Sequence, residues 1–441
     1  MASFDRALRR VKEDLSRLVP ESTIVAACEE AGHRWRDRLL NPVLTVHLFV
    51  MQVLHFNTAL THVRHLAGDM IKPSAFCQAR QRLPVAVMQA LLRTMCQAAG
   101  ATGLFHGHKL WIVDGSSASL PDTPGLQSVF PQPRRQREGC GFPLMKLLAL
   151  FDAATGLLVE VVSTSLHAHE QSRVSQLHPL LGAGDVILGD RGFCSFWHVA
   201  MLAGRQVRCI FRMHQRQIVD FRPGRRTRRK GETGRPTSRW IKRLGKHDHL
   251  VEWVKPGKRP TWMSHEQFDA IPPTLLVREL RYHLPRDGRR TTCVTIATTL
   301  LDPQQYPADE IAWLYDVRWE VETHFRELKT TMKMRVLKCK SPAGAHKELL
   351  AFALAYNLVR LTMAQAAARE QVDIGRVSFI DTLRWLITAE PGEPMPRLVL
   401  NPLRPGRCEP RVIKRRGKQY ALMNRPRAEL RKRLKRQTVA A

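Results

Sequence analysis

The chain has 441 residues, 44% of them hydrophobic and 25% charged, proportions that fit a globular protein with a well-buried core and argue against a disordered one. Seventy Lys and Arg against 39 Asp and Glu give a net charge of +31, an excess that points to a polyanionic partner, nucleic acid above all. Nine cysteines, an odd number with no C-x-x-C pair, argue against a disulfide framework or a structural zinc and suit a reducing cytoplasm.

"MASFDRALRRVKEDL" lacks the apolar stretch of a signal peptide. Residues 1–105 read as helical throughout, with "LTVHLFVMQVLHF" apolar at helical spacing and Pro84 opening a further helix after a Gly/Pro break. We take this region as a helical DNA-binding module. The close pairs His62/His65 and His167/His169 have no Cys or carboxylate at zinc-motif spacing and read as ordinary residues.

The pattern changes at Lys109. "KLWIVDGSSASL" is a short strand ending in an acid and a loop, and "LMKLLALFDAATGLLVEVVSTS" is a hairpin turning at Asp152–Gly156. A helix ("QSRVSQLHPLL"), a strand ending in an acid ("DVILGD"), a helix ("SFWHVAMLAGR") and a strand ("VRCIFRMH") follow. A hairpin combined with crossovers predicts a mixed sheet flanked by helices over residues 106–214, an α/β (α+β) core. Residues 215–304 read as a β-rich insertion, opening with a basic, turn-rich stretch at 222–243. A helix resumes behind Pro307, making 305–340 the last part of the core. Residues 341–441 are helical and end in a basic tail at 404–436. The run "ELLAFALAYNLVRLTMAQAAA" carries Asn357 and Arg360 mid-run, so a buried core helix explains it better than a membrane span.

Three acids stand out. Asp114 closes "WIVD" and Asp190 closes "VILGD". Carboxylates at the ends of neighbouring strands repel unless a cation sits between them, and Mg²⁺ or Mn²⁺ held by hard oxygen ligands is what phosphodiester chemistry requires. The third is in "YDVRWEVETHFRELK". On a continuous helix at 100° per residue, Tyr315, Arg318, Glu322 and Lys329 lie within roughly 60° of one another. That stripe borders Leu314, Val321, Phe325 and Leu328, so it faces the protein, whereas Asp316, Glu320 and Glu327 read as solvated.

With these residues in order, the chain resembles bacterial insertion-sequence transposases of the DDE type, the group called the IS-four family. Y-x-x-R-x-x-x-E-x-x-x-x-x-x-K is intact, and "VDGS" and "GDRGF" resemble that family's first two acid motifs. The likeness extends over residues 40–436. It implies a ribonuclease-H-like catalytic core interrupted by a β-rich insertion. It also implies two Mg²⁺ ions (or Mn²⁺) held by Asp114, Asp190 and Glu322, cleavage at transposon ends and strand transfer. The same resemblance implies that Arg318 and Lys329 grip phosphates and Tyr315 positions the strand end, while Arg191, in the second motif, is a further candidate DNA contact. A synaptic homodimer on double-stranded DNA is expected. Where family members form a DNA hairpin, a flipped base stacks on an insertion tryptophan, for which Trp240, Trp253 and Trp262 are candidates. A structure-specific nuclease of the same fold and a non-catalytic DNA-binding protein are the alternatives.

Overall fold

A computed structural model describes residues 20–36, 38–67, 71–97, 105–168, 171–229, 232–283, 293–389, 393–403 and 423–439. The apolar runs of the N-terminal region fold as α1 (Glu21–Glu30), α2 (Pro42–Leu54), α3 (Leu60–Ala67), α4 (Pro73–Arg82) and α5 (Val85–Gln97). Asn41 starts α2 by accepting from the Leu44 N–H, with Pro42 in the first turn, where its missing N–H costs nothing. Pro84 stands immediately before α5, as its fixed φ favours.

The core strands are β1 (Leu110–Ser119), β2 (Leu144–Asp152), β3 (Leu158–Ser165), β4 (Val186–Gly189) and β5 (Arg208–Arg212). Between them lie α6 (Pro124–Val129), the short α7 (Gln171–Val174) and α8 (Phe196–Gly204). β1 to β3 form an antiparallel meander, and β4 and β5 add in parallel beyond β1. The insertion supplies β6 (Arg239–Gly245), β7 (Asp248–Val254), α9 (His265–Ala270), β8 (Thr274–His283) and β9 (Cys293–Thr298). β6 begins within the stretch read as turn-rich and runs past its end; only part of it alternates, and it is an exposed edge strand. β9 pairs antiparallel with β5, so the insertion strands continue the core sheet in the order β3-β2-β1-β4-β5-β9-β8-β7-β6.

Helices cover both faces, the ribonuclease-H-like arrangement. Along β1, Leu110, Ile112 and Ala118 enter one hydrophobic core, and Trp111 and Val113 enter the other. The first core also receives the N-terminal helices, α10 (Ala308–Val317), α11 (Glu320–Arg326), α12 (Pro342–Glu370) and α13 (Phe379–Thr388). α8 packs into the second. α12 is long and apolar enough to cross a membrane, but 89% of its most apolar window is buried inside the protein. Its polar residues face the hairpin. Asn357 donates to the Leu158 carbonyl and accepts from the Leu158 N–H, both at 2.9 Å, and Arg360 donates to Thr155 O. Gly156 takes φ 68°, a left-handed backbone that strains any other side chain, and its bare Cα leaves room for the Arg360 guanidinium.

The last helix, α14 (Arg427–Val439), returns to the core. Arg427 donates to the Gly141 and Cys140 carbonyls and lies 3.7 Å from the Phe142 ring centroid. The basic stretch at 404–422 falls outside the described residues.

Candidate active site

Strand parity places the two aspartates. Val113 pairs with Gly189 across the parallel β1–β4 ladder, so Asp114 and Asp190 are the next residues on adjacent strands, about 5 Å apart at the backbone. Asp114 shares its face with Leu110 and Ile112, and Asp190 continues the parity of Val186 and Leu188. Both therefore point toward the core that holds α10 and α11. They line one cleft with Ser116, Lys146 and Phe193. Asp190 sits at its strand end as expected, but Asp114 does not. β1 runs on to Ser119, paired with β2 throughout, and only its ladder to β4 stops at Val113. The β4 side of β1 is thus without a strand partner from Asp114 until Ser119, which bridges to Val336.

The helix bearing Glu322 is not continuous. At Arg318–Trp319 it tightens: Arg318, Trp319, Val321 and Glu322 donate their N–H groups to Tyr315, Asp316, Arg318 and Trp319, three residues back. Beyond α11 it widens, with Glu327–Thr331 forming a π-turn in which the Met332 N–H reaches Glu327 O. The uniform stripe is therefore corrected. Tyr315 and Arg318 are 0% and 4% exposed, Lys329 is half-buried and Glu322 is exposed. Glu327, read as solvated, is 8% exposed instead; it opens the π-turn and lies beside His324 (3.8 Å). Lys329 donates to Ser116 Oγ at 3.1 Å, two residues along β1 from Asp114 and on the same face.

Burial pushes the Asp114 carboxyl up to about 6, with the Asp190 and Glu322 charges adding to the rise. The Gly115 N–H donates to Asp114 Oδ1 at 2.8 Å, and an Arg318 guanidinium nitrogen stands 3.7 Å from its Oδ2; both oppose the rise. Burial likewise raises the Tyr315 phenol to about 12. Burial lowers the Lys329 ammonium, helped by Arg335. Asp190 Oδ1 is buried without a hydrogen-bond partner. An acceptor-only set of carboxylates with one orphaned oxygen fits a hard divalent cation. Among the described residues, however, no three His, Cys, Asp or Glu side chains lie close enough to hold one ion together. Asp114 and Asp190 are adjacent, and Glu322 is within electrostatic reach of Asp114 without closing the set.

Residues 106–358, more than half of the chain, match the family described as "Transposase DDE domain". The chain belongs to that family. The DDE transposase chain is 28% identical over 375 residues to the transposase InsG for insertion sequence element IS4 of Escherichia coli, spanning 79% of this chain and 78% of InsG. It is 28% identical over 138 residues to the putative transposase InsZ of the same organism, 29% of this chain and 44% of InsZ. A cryo-EM structure of a piggyBac transposase synaptic complex with hairpin DNA aligns over 86% of this chain and 79% of that one, at 10% identity and a TM-score of 0.44, too remote to argue from.

The transposase's expected DNA contacts fall into three environments. Arg191 is exposed, donating to Gln215 at 2.9 Å, and Lys329 borders the site. Tyr315 and Arg318 have almost no surface, because the tight turn folds the guanidinium 5.3 Å from the Tyr315 ring and toward Asp114. Of the tryptophans, Trp253 is a core residue, 7% exposed and donating to Glu279 at 2.8 Å. Trp262 stacks on His198, with centroids 5.2 Å apart. Trp240 lies half-buried on edge strand β6. Sequence reasoning missed Ser116 and Arg212. The latter continues the parity of Ile210 on β5, and its charge acts on Tyr315.

Proposed function

We propose that this transposase cuts the ends of its insertion sequence and joins them to target DNA. The observation that carries the reading is that Asp114 and Asp190, far apart in sequence, follow the paired residues Val113 and Gly189 on neighbouring strands and line one cleft. Membership of the transposase DDE family and similarity to InsG support it. Asp114, Asp190 and Glu322 would hold divalent ions, Mg²⁺ or Mn²⁺; when bound, such ions activate the attacking water or 3′-OH and stabilise the leaving 3′-oxygen. Arg318 offsets the charge of Asp114 before ions and DNA arrive, and Tyr315 packs that guanidinium in place. Lys329, steadied by Ser116, and Arg191, exposed beside Asp190, would take phosphates of the bound strand. Trp240 is the tryptophan best situated to stack a base, since Trp253 and Trp262 are occupied by protein partners.

Cutting without joining, as a structure-specific nuclease would, is the second reading, because the same carboxylates serve both reactions. Purified protein incubated with Mg²⁺ and DNA bearing both element ends distinguishes them. End-to-target joined products are expected; cleaved ends with no joined product would establish the nuclease instead.

A further inference from the structure

The segment leaving the π-turn carries cations that the proposed reaction does not use. Met332, Met334 and Leu337 are buried, whereas Lys333, Arg335 and Lys340 are exposed. No hydrogen bond or ion pair engages these three side chains among the described residues. Their backbone is held in place: the Ser119 N–H donates to Arg335 O, and the Leu337 N–H donates to Ser119 O. Ser119 lies five residues beyond Asp114 on β1, about 17 Å at the rise of a strand. That is the length of about five base pairs of duplex DNA.

The path continues. Lys340 lines a cavity of about 560 Å³ with Arg80, Gln81 and Lys347, where the N-terminal module meets α12. Arg82, the next residue on α4, lines a second cavity of about 430 Å³ with Arg34, Arg36 and Trp35. The two adjoin, since Lys347 of the first donates at 2.9 Å to the carbonyl of Leu83, which lines the second. Glu348, the acid lining the first cavity, is 1% exposed and engaged by Asn57 and the Lys338 and Cys339 N–H groups. Four cations thus face the one acid Glu348 in the lining of the first cavity, and the lining of the second holds Arg34, Arg36, Arg38 and Arg82 with no acid among the described residues.

We propose that Lys333, Arg335, Lys340, Arg82, Arg34 and Arg36 form one track for the phosphate backbone of duplex DNA, leading from the active site to the N-terminal module. The proposal rests on the DNA-cutting reading of Asp114, Asp190 and Glu322. A duplex suits the track better than a single strand, because a single-strand groove interleaves aromatic faces with its cations and Trp35 is the exposed aromatic of the two linings.

The test compares a near triple (Lys333→Ala, Arg335→Ala, Lys340→Ala) with a far triple (Arg34→Ala, Arg36→Ala, Arg82→Ala). A control triple (Arg173→Ala, Arg205→Ala, Arg208→Ala) removes the same charge from exposed sites around α7 and α8. Binding to end-bearing duplex is measured across a salt series. Each track triple is expected to flatten the log affinity against log salt slope by about 2 to 3, at about 0.9 per lost contact, and the control by less than 1. On duplexes shortened stepwise from the end away from the scissile phosphate, the far penalty should vanish first. The near penalty should persist to about five base pairs. Unchanged slopes, equal losses in the control, or both penalties vanishing at one length would overturn the track. Wild-type protein that binds in this way but never cuts would instead overturn the active-site reading and leave the track standing.

Discussion

At Asp114 burial and charge act on one side chain of the proposed site. Its carboxyl is raised from 3.8 to about 6 by burial and by two neighbouring acids, with Arg318 and the Gly115 N–H in opposition. Because the folded value lies above the unfolded one, the folded state holds the proton more tightly between them. That contribution to stability is complete below about pH 4 and is lost as pH rises through about 6, a change of about 3 kcal/mol at 1.36 kcal/mol per unit. Metal-free wild-type protein should therefore lose stability over this range relative to Asp114→Asn, which urea unfolding at pH 4.5 and 7 would measure. Parallel pH profiles for the two proteins would contradict the assignment. Mn²⁺ binding should show the complementary trend, weakening up to tenfold per pH unit below 6 because the ion must displace that proton.

At the scale of elements, the polar residues of α12 show how a buried helix can dock a hairpin. Asn357 completes the backbone hydrogen bonding of Leu158 from within an apolar helix. Asn357→Leu keeps the volume but strands a buried N–H and C=O, so it should cost about 3 kcal/mol of unfolding free energy. A shift below about 0.5 kcal/mol would mean that water reaches Leu158 instead. The strands, the hairpin and their acids were legible because alternation and apolar runs are local signals, and the parity of "WIVD" and "VILGD" puts both carboxylates on one face. The partner of Asn357 was not legible, being 199 residues away. Nor were the breaks around Glu322, since neither Pro nor Gly marks residues 318–319 or the π-turn. A uniform 100° step therefore grouped Tyr315 and Glu322 on one stripe, although one is buried and the other exposed. Glu327, which opens the π-turn, is buried as well.

At the scale of the whole molecule, one nine-stranded sheet carries both the core and the insertion, with helices from both ends of the chain packed on the face that bears the acids. The topology explains why the insertion could be read as a separate β-rich unit: its strands follow their own hairpin order, and among the described residues the ladder that ties them to the core strands is β9 on β5. It also brings Asp114 and Asp190 side by side where the β1–β4 ladder ends, with the helix that carries Glu322 packed on the same face. The most direct test of that convergence is cleavage and joining of end-bearing DNA in Mg²⁺ by wild-type, Asp114→Asn, Asp190→Asn and Glu322→Gln proteins, with DNA affinity measured on the same preparations. The account predicts that each substitution lowers the cleavage rate by at least about 10³-fold, roughly 4 kcal/mol of transition-state stabilisation, and leaves end binding within about threefold. Any of the three variants that cuts within tenfold of wild type, or that loses binding together with cleavage, would contradict it.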